Sequence, residues 1–470
     1  MNTAKLRRFK GQIENYPNQN HNAFEPRIDK LFKELCIETC LYRSRIHKKD
    51  GFHASHILFV LAVLPILKLK TVHSFCNKYW FQWSGSRKDT FYRFKRNPSF
   101  RWRSFLYKVN EHIPNKLKSS AESFFIPDDS VFQKCGRQLE NVSFIRDHTI
   151  GKSVLGYNIL LLGPLRENGF YPLDFACRFG KKRHSKSQAE VIGSVKSESG
   201  KRSYEAKHYD KTDLAHRMIK RALKLGQRAT CLLFDSWFAN PVFFKRILEL
   251  NVSLHIICRL KNAKTKYLHE GRHYTLGELY RKYRFQLKQD SKTGLLLKRV
   301  TVELPDMEQP FVIVFSKRLQ EPTAKDIKGS KTQKNDKWVA FLSTNASLHT
   351  SGIIRKYAKR WSIEVCFKEC KQLLELGKDQ ANDFNSQVAA ATIGFLRYNL
   401  LNYLNELENH QTFGGFFEYL HDEMAPISYA NRLYNFFTEL IRCIIEKLTE
   451  MLSHGTSSIN TQALGDIISG

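Results

Sequence analysis

The sequence predicts a mixed α/β fold, and three observations carry that expectation. Short apolar runs punctuated by glycine and proline alternate with helix-like segments from about residue 121. A block over 252–343 is rich in strand-like runs, and both ends of the chain read as helical. The 470 residues, 42% of them hydrophobic and 13% aromatic, suffice for a substantial core and about three domains.

In chain order, residues 1–120 read as a helical N-terminal region. Its apolar run "ILFVLAVLPIL" (57–67) is too short to span a bilayer and contains Pro65. The following stretch, "FCNKYWFQWSGSRKDTFYRFKRNPSFRWRSFLYKV" (75–109), interleaves aromatics with arginines. It suits either a basic, aromatic DNA-contacting surface or a helical subdomain whose aromatics are core. Next, "SFFIP" runs into Asp128 and Asp129, and "SVLGYNILLLG" (153–163) and "GFYPLDFACRF" (169–179) read as strands. A basic loop follows, "GKKRHSKSQ" (180–188), and then Thr212 caps a helix with Leu214, Met218 and Leu225 on one side, stopping at Gly226. "ATCLLFDSWF" (229–238) is a short strand terminating in Asp235, and Asn240-Pro241 opens another helix with a capping side chain and a proline in its first turn.

The β-rich block comprises "VSLHIICRL", "GLLLKRVTVEL", "FVIVFSK" and "WVAFLS", with the lysine-rich "AKDIKGSKTQKNDK" (324–337) between the last two. From 346 the chain is helical again, through "YAKRWSIEVCFKECK" (357–371) and "NSQVAAATIGFLRYNLLNYLNELE" (385–408) to an amphipathic tail. No repeat at solenoid periods is visible.

The charge balance names a class of partner. With 76 Lys and Arg against 45 Asp and Glu, the formal charge is +31, and so basic a globular chain is expected to meet a polyanion. Ribosomal proteins, nucleases, transposases and membrane-surface proteins share that trait, so charge alone fixes no activity. The ten cysteines form no CxxC pair and no zinc-finger spacing. Cys36/Cys40 and Cys366/Cys370, each four apart, are expected to be buried free thiols on one helix face. The basic start lacks an apolar h-region, so the expectation is a soluble, cytoplasmic, nucleoid-associated protein with no membrane partner.

Acidic residues stand out against that charge. Asp128/Asp129 and Asp235 are expected at the ends of apolar strands, on the rim of a core. Either they cap turns, or carboxylates from separate elements hold divalent cations against a nucleic-acid phosphate. The helix at 357–371 bears on that choice. At about 100° per residue, Tyr357, Arg360, Glu364 and Lys371 share a strip about 60° wide. The apolar seam of Ile363, Phe367, Cys370 and Leu374 lies beside this strip, so Glu364 borders the buried face. A merely solvated face would lie across the helix.

At these residues the sequence resembles a known family. Tyr357, Arg360, Glu364 and Lys371 reproduce the spacing Y-(2)-R-(3)-E-(6)-K of DDE transposases of the insertion-sequence-four type, and Arg360-Trp361-Ser-Ile-Glu364 is similar to their "RWxIE" pattern. "CLLFDSWF" resembles the strand bearing the family's second aspartate, "FFIPDDSVFQKCGRQLE" the block around the first, and "KWVAFLSTN" the close of its β insertion. The likeness covers about 120–400. It implies an RNase H-like core (121–250 and 346–405) interrupted by a β-rich insertion (251–345), with a helical N-terminal DNA-binding region (1–120) and a helical C-terminal region (406–470) able to pair two copies. It implies a catalytic and metal-binding set of Asp129, Asp235 and Glu364 holding two Mg²⁺, with Mn²⁺ as a substitute. Asp129 is preferred to Asp128 because Ser130 follows it, and Asp128 stays an alternative. Tyr357, Arg360 and Lys371 are implied on DNA phosphates, and Trp338 on a flipped base. The activity implied is that of a bacterial insertion-sequence transposase. It binds double-stranded terminal inverted repeats as a homodimer, cuts through hairpin ends and transfers strands into target DNA. A nuclease of the same fold without strand transfer, and an inactive transposase-derived DNA-binding protein, are the alternatives.

Overall fold

The computed structural model describes residues 26–448 except 80–87, 114–121, 137, 167–168, 181–195, 251–252, 305–306, 308, 319–336, 411, 423–436, 438–439 and 442–443. Most of the basic loop at 180–188, the lysine-rich stretch 324–337 up to residue 336, the chain's first 25 residues and much of the amphipathic tail fall outside the described residues.

The first described elements are helices: α1 (Pro26–Glu34), α2 (Ile37–Arg43), α3 (Ala54–Val63), α4 (Val72–Tyr79), α5 (Lys88–Arg96) and α6 (Trp102–His112). The apolar run forms α3 and packs inward; no helix among the described residues is long and apolar enough to cross a membrane. The described aromatics of 75–109 are mostly core. Phe91, Phe94, Phe100, Trp102, Phe105 and Tyr107 are buried, and Trp102 meets Phe94, Phe100 and Phe105 edge-on. Such edge-to-face contacts pack rings densely.

The sheet follows. Strands β1 (Phe124–Gln133), β2 (Ser143–Asp147), β3 (Lys152–Leu165) and β4 (Asp174–Arg178) precede helices α7 (Glu198–His208) and α8 (Lys211–Lys224). Strand β5 (Cys231–Phe234), helix α9 (Pro241–Leu248) and β6 (His255–Leu260) come next. A hairpin of β7 (Lys266–His269) and β8 (Arg272–Thr275) leads into α10 (Leu276–Tyr283) and the strands β9 (Lys288–Gln289), β10 (Leu295–Val302), β11 (Phe311–Arg318) and β12 (Trp338–Ser343). Helices α11 (Thr350–Ala358), α12 (Trp361–Gln372) and α13 (Phe384–Glu408) follow. Among the described residues, one mixed sheet has the order β2-β3-β1-β5-β6-β12-β11-β10-β9, with β4 also on β3. β1, β5 and β6 are parallel neighbours, while β3 runs antiparallel to β1. The β-rich block is thus continuous with the central sheet: β6, its first strand, pairs with β5, and β12 pairs with β6.

The pleat sorts side chains into two cores. Phe124 and Ile126 of β1 and Cys231 and Leu233 of β5 face one core, shared with α12, α13 and the N-terminal helices. Phe125, Leu232 and Phe234 face the other, shared with α8, α9 and α10. Alternation of this kind is what a strand buried on both faces requires.

Three local expectations are revised. First, β1 does not end at the aspartates: β3 pairs with it from Phe124 to Gln133, so Asp128 and Asp129 are mid-strand. Its described parallel pairs with β5 are Phe124↔Cys231 and Phe125↔Leu232, so beyond them that side of β1 is open. Second, the cap of α8 is Asp210, reciprocated by Asp213 in a capping box, and Thr212 only donates its hydroxyl to Asp210. Third, 357–371 is two helices: Arg360 and Lys359 bond three residues back, to Tyr357 and Lys356, and this tightened turn separates α11 from α12. Asn240 caps α9 as expected, its Oδ1 accepting from the Phe243 N–H at 2.8 Å.

Buried charges tie the N-terminal helices to the sheet. Arg103 of α6 donates to Asp174 of β4 at 3.1 Å and to Glu205 of α7 at 2.6 Å, while Arg221 of α8 pairs with the same Asp174. Burial pushes the Asp174 pKa up, yet Arg221, Arg103 and Arg202 outweigh it and hold the carboxyl below its usual range. A depressed folded-state pKa gives stability that is present above the unfolded value, about 3.9, and is lost as pH falls through the folded one. Asp174→Asn is therefore expected to cost about 1–3 kcal/mol at neutral pH, because Arg103 and Arg221 lose one buried carboxylate while keeping Glu205. In urea unfolding the gap to wild type should narrow below about pH 4; a gap independent of pH would contradict the charge argument.

Candidate active site

Two elements of the first core face meet, β1 and the α11–α12 turn. The described β1–β5 pairs stop at Phe125↔Leu232, and Asp235 directly follows the last residue of β5. Asp128 continues the alternation that turns Ile126 toward the α12 side. Arg360, in the turn between α11 and α12, donates to Asp128 Oδ2 at 3.0 Å and pairs through its other terminal nitrogen with Glu364, one helical turn on. Lys371, two turns beyond Glu364, donates to Ser130 Oγ at 2.6 Å and to the Val131 carbonyl at 2.9 Å. The strip read from the sequence thus lies against β1, with its cations engaged by β1 groups.

Asp129 is not part of this gathering. The pleat turns it to the opposite face, where it accepts from Asn158 Nδ2 of β3 at 2.7 Å and pairs with Lys211 at the start of α8. Of the two aspartates, the one on the Glu364 side of the sheet is Asp128, the alternative that the sequence left open.

Electrostatics follow from burial and from Arg360. Burial raises the Asp128 carboxyl to about 6, with Arg360 opposing the shift. Burial draws the Arg360 pKa down, but Tyr357, Glu364 and Asp128 together hold it above the ordinary value. Tyr357 is pushed up to about 12, chiefly by burial, and Asp235 adds to the rise. Its ring packs on Phe341 at 4.8 Å and lies 5.6 Å from the Arg360 guanidinium. Burial lowers the Lys371 pKa.

Among the described residues, no three His, Cys, Asp or Glu side chains form a group placed to hold a metal ion. The donor chemistry nonetheless fits a hard divalent cation, since Asp128, Asp235 and Glu364 offer oxygens only. The Arg360 guanidinium, paired with Asp128 and Glu364, supplies positive charge beside them. The buried thiols Cys366 and Cys370 stand 3.9 Å apart in α12 on the side away from this strip.

Trp338 lies on β12, stacked on Tyr280 at 4.4 Å and edge-on to Phe315 at 5.6 Å, so one of its faces is committed to the second core. It also lines a cavity of about 450 Å³ together with Trp237, Arg259 and Lys261. Lys211, Asn158 and Trp237 escaped the sequence reading. The one available signal was Trp237 itself, an aromatic just past the strand-terminal Asp235.

Comparison with known proteins agrees with the class that this geometry suggests. Residues 56–278 match the family of DDE superfamily endonucleases, and residues 200–400 match the transposase DDE domain. The two matches overlap over residues 200–278, which include Asp235. No curated protein matches the chain. Among solved structures, a piggyBac transposase synaptic complex with hairpin DNA, determined by cryo-EM, is similar with a TM-score of 0.45 and 14% identity, covering 89% of this chain and 81% of that one.

Arg360→Ala is expected to destabilise the metal-free protein by about 1–3 kcal/mol, because two partly buried carboxylates lose their counter-charge. Added Mn²⁺ should raise the melting temperature of the variant more than that of wild type, since the cation replaces the missing charge. Equal shifts in thermal melts would contradict the stand-in role of Arg360.

Proposed function

We propose that the chain is a DNA transposase of a bacterial insertion sequence, with Asp128, Asp235 and Glu364 as its catalytic carboxylates. The observation that supports this reading best is the Arg360 guanidinium joining Asp128 of β1 to Glu364 of α12, inside a chain whose residues 200–400 match the transposase DDE domain. The sheet order, in which antiparallel β3 flanks β1 and parallel β5 and β6 follow on its other side, supports an RNase H-like core. The +31 charge supports DNA as the partner.

The three carboxylates would hold two Mg²⁺, with Mn²⁺ as a substitute. When bound, these ions activate the attacking oxygen and neutralise charge on the leaving one. Tyr357, Arg360 and Lys371 grip phosphates of the strand to be cut, the fork of Arg360 matching a phosphate as it now matches Asp128 and Glu364. As Arg360 turns to phosphate it frees Glu364 and Asp128. Water then forms a bond to phosphorus as the bond to the 3′ oxygen breaks, leaving a 3′ hydroxyl and a 5′ phosphate. That hydroxyl displaces in turn on the opposite strand, giving a hairpin, and after hairpin opening on target DNA. Trp338 receives a base unstacked by the hairpin on the face not committed to Tyr280. Terminal inverted repeats are held by a homodimer, in the cytoplasm with the nucleoid. A nuclease that cuts without strand transfer is the second reading, favoured by the endonuclease match alone.

On DNA carrying the element's ends with Mg²⁺, Asp128→Asn and Glu364→Gln should each lower cleavage at least 1,000-fold, about 4 kcal/mol in barrier, while Asp129→Asn keeps cleavage within about tenfold of wild type. Loss in Asp129→Asn with retention in Asp128→Asn would restore the sequence choice. Cleavage without joined product would favour the nuclease.

A further inference from the structure

We propose that a cavity between the N-terminal helices and the central sheet is a binding site for a small organic acid, a compact anionic head on an apolar body. The cavity measures about 430 Å³, in the range of small-ligand sites, and is bounded by α3, α5, β1, β3, α13 and the turn joining α12 to α13. None of Asp128, Asp235 and Glu364 lines it, and the inference does not depend on the catalytic reading. Charge selects the head. Two ion pairs with exposed cations are self-contained, Lys378 with Glu375 at 3.0 Å and Arg96 with Asp383 at 3.3 Å. Lys95 and Lys134 are only 7% and 3% exposed, and Arg397 is half-buried. For these three cations, the remaining carboxylate among the described lining residues is Asp379, which pairs with Lys95. Lys134 donates to the Gly377 and Asp379 carbonyls at 2.6 and 2.7 Å, and Arg397 to the carbonyls of Leu61 and Leu374. Carbonyl dipoles satisfy the N–H groups without neutralising the charge. Burial accordingly lowers the Lys134 pKa to about 8 and that of Arg397 to about 10, with Asp379 opposing both shifts. An anion in the cavity supplies the missing negative charge.

The other walls select the body. Leu64, Val72, Phe132, Ile159, Phe384 and Ile393 are buried side chains that line the cavity with apolar surface. The polar lining groups are already engaged: Gln387 Nε2 donates to the Asp379 and Ala381 carbonyls, and the Thr71 hydroxyl bonds that of Ser74. Such walls suit hydrocarbon better than a sugar or a hydrated ion.

The test is isothermal titration calorimetry of the full chain at neutral pH with 4-phenylbutyrate, against 4-phenylbutanol as its uncharged analogue and acetate as the head alone. The acid is expected to bind at least about tenfold more tightly than either control. Lys134→Met should weaken it on the order of tenfold. Ala390→Phe fills the cavity from α13 with every charge left in place, and should abolish binding. Should Lys134→Met not fold, Ala390→Phe and the two control compounds decide the matter. Alcohol or acetate bound as tightly as the acid, acid binding undiminished in Ala390→Phe or in a folded Lys134→Met, or a wild-type chain that takes up none of the three would each overturn the inference.

Discussion

The site depends on a fork in the sheet. Strand β1 is paired with β3 along its whole length but with β5 only at its beginning, so two consecutive aspartates extend past the parallel pairing on a strand that still cannot rotate. The β3 ladder fixes the pleat, and the pleat sends Asp128 and Asp129 to opposite faces. One aspartate meets Arg360 and, through it, Glu364; the other meets Asn158 and Lys211. A shift of one residue in the β1–β3 register would exchange those roles and turn Ile126 out of its core as well. Placement of Asp128 is therefore enforced by the burial of Phe124, Phe125 and Ile126.

How much of this was legible in the sequence varies with how local each cause is. Tyr357, Arg360, Glu364 and Lys371 were readable as a set because helical spacing is a local property, and the tightened turn at Arg360 shifts the set without dispersing it. Asp235 was readable because a four-residue apolar strand stops at it. The choice between Asp128 and Asp129 was not, since it depends on pairing with β3, some thirty residues on. The membership of β6 in the central sheet was equally hidden, because a parallel partner leaves no mark in a strand's own pattern. Lys211 and Trp237 come together only when α8 docks on the sheet, far from Asp129 in sequence.

Arg360 reconciles two demands on the carboxylates. On the proposed function they must be close enough to share cations, yet the protein must fold before any cation or DNA arrives. Carboxylates gathered without counter-charge repel one another and bear the cost of partial burial. A guanidinium reaching two of them meets both demands, and its planar fork makes the same pattern available to phosphate. On the proposed function, one side chain would thereby couple the state of the carboxylates to the presence of DNA.

The buried ion pairs between α6, β4, α7 and α8 have a consequence of another kind. They fasten α6 of the N-terminal helices to β4, α7 and α8 on the sheet, through Arg103, Asp174, Glu205 and Arg221. A flexibly tethered recognition module would let the cut wander along the duplex. On the proposed function, the helices and the carboxylates would form a caliper with a fixed opening, measuring a duplex held by those helices against the cutting point.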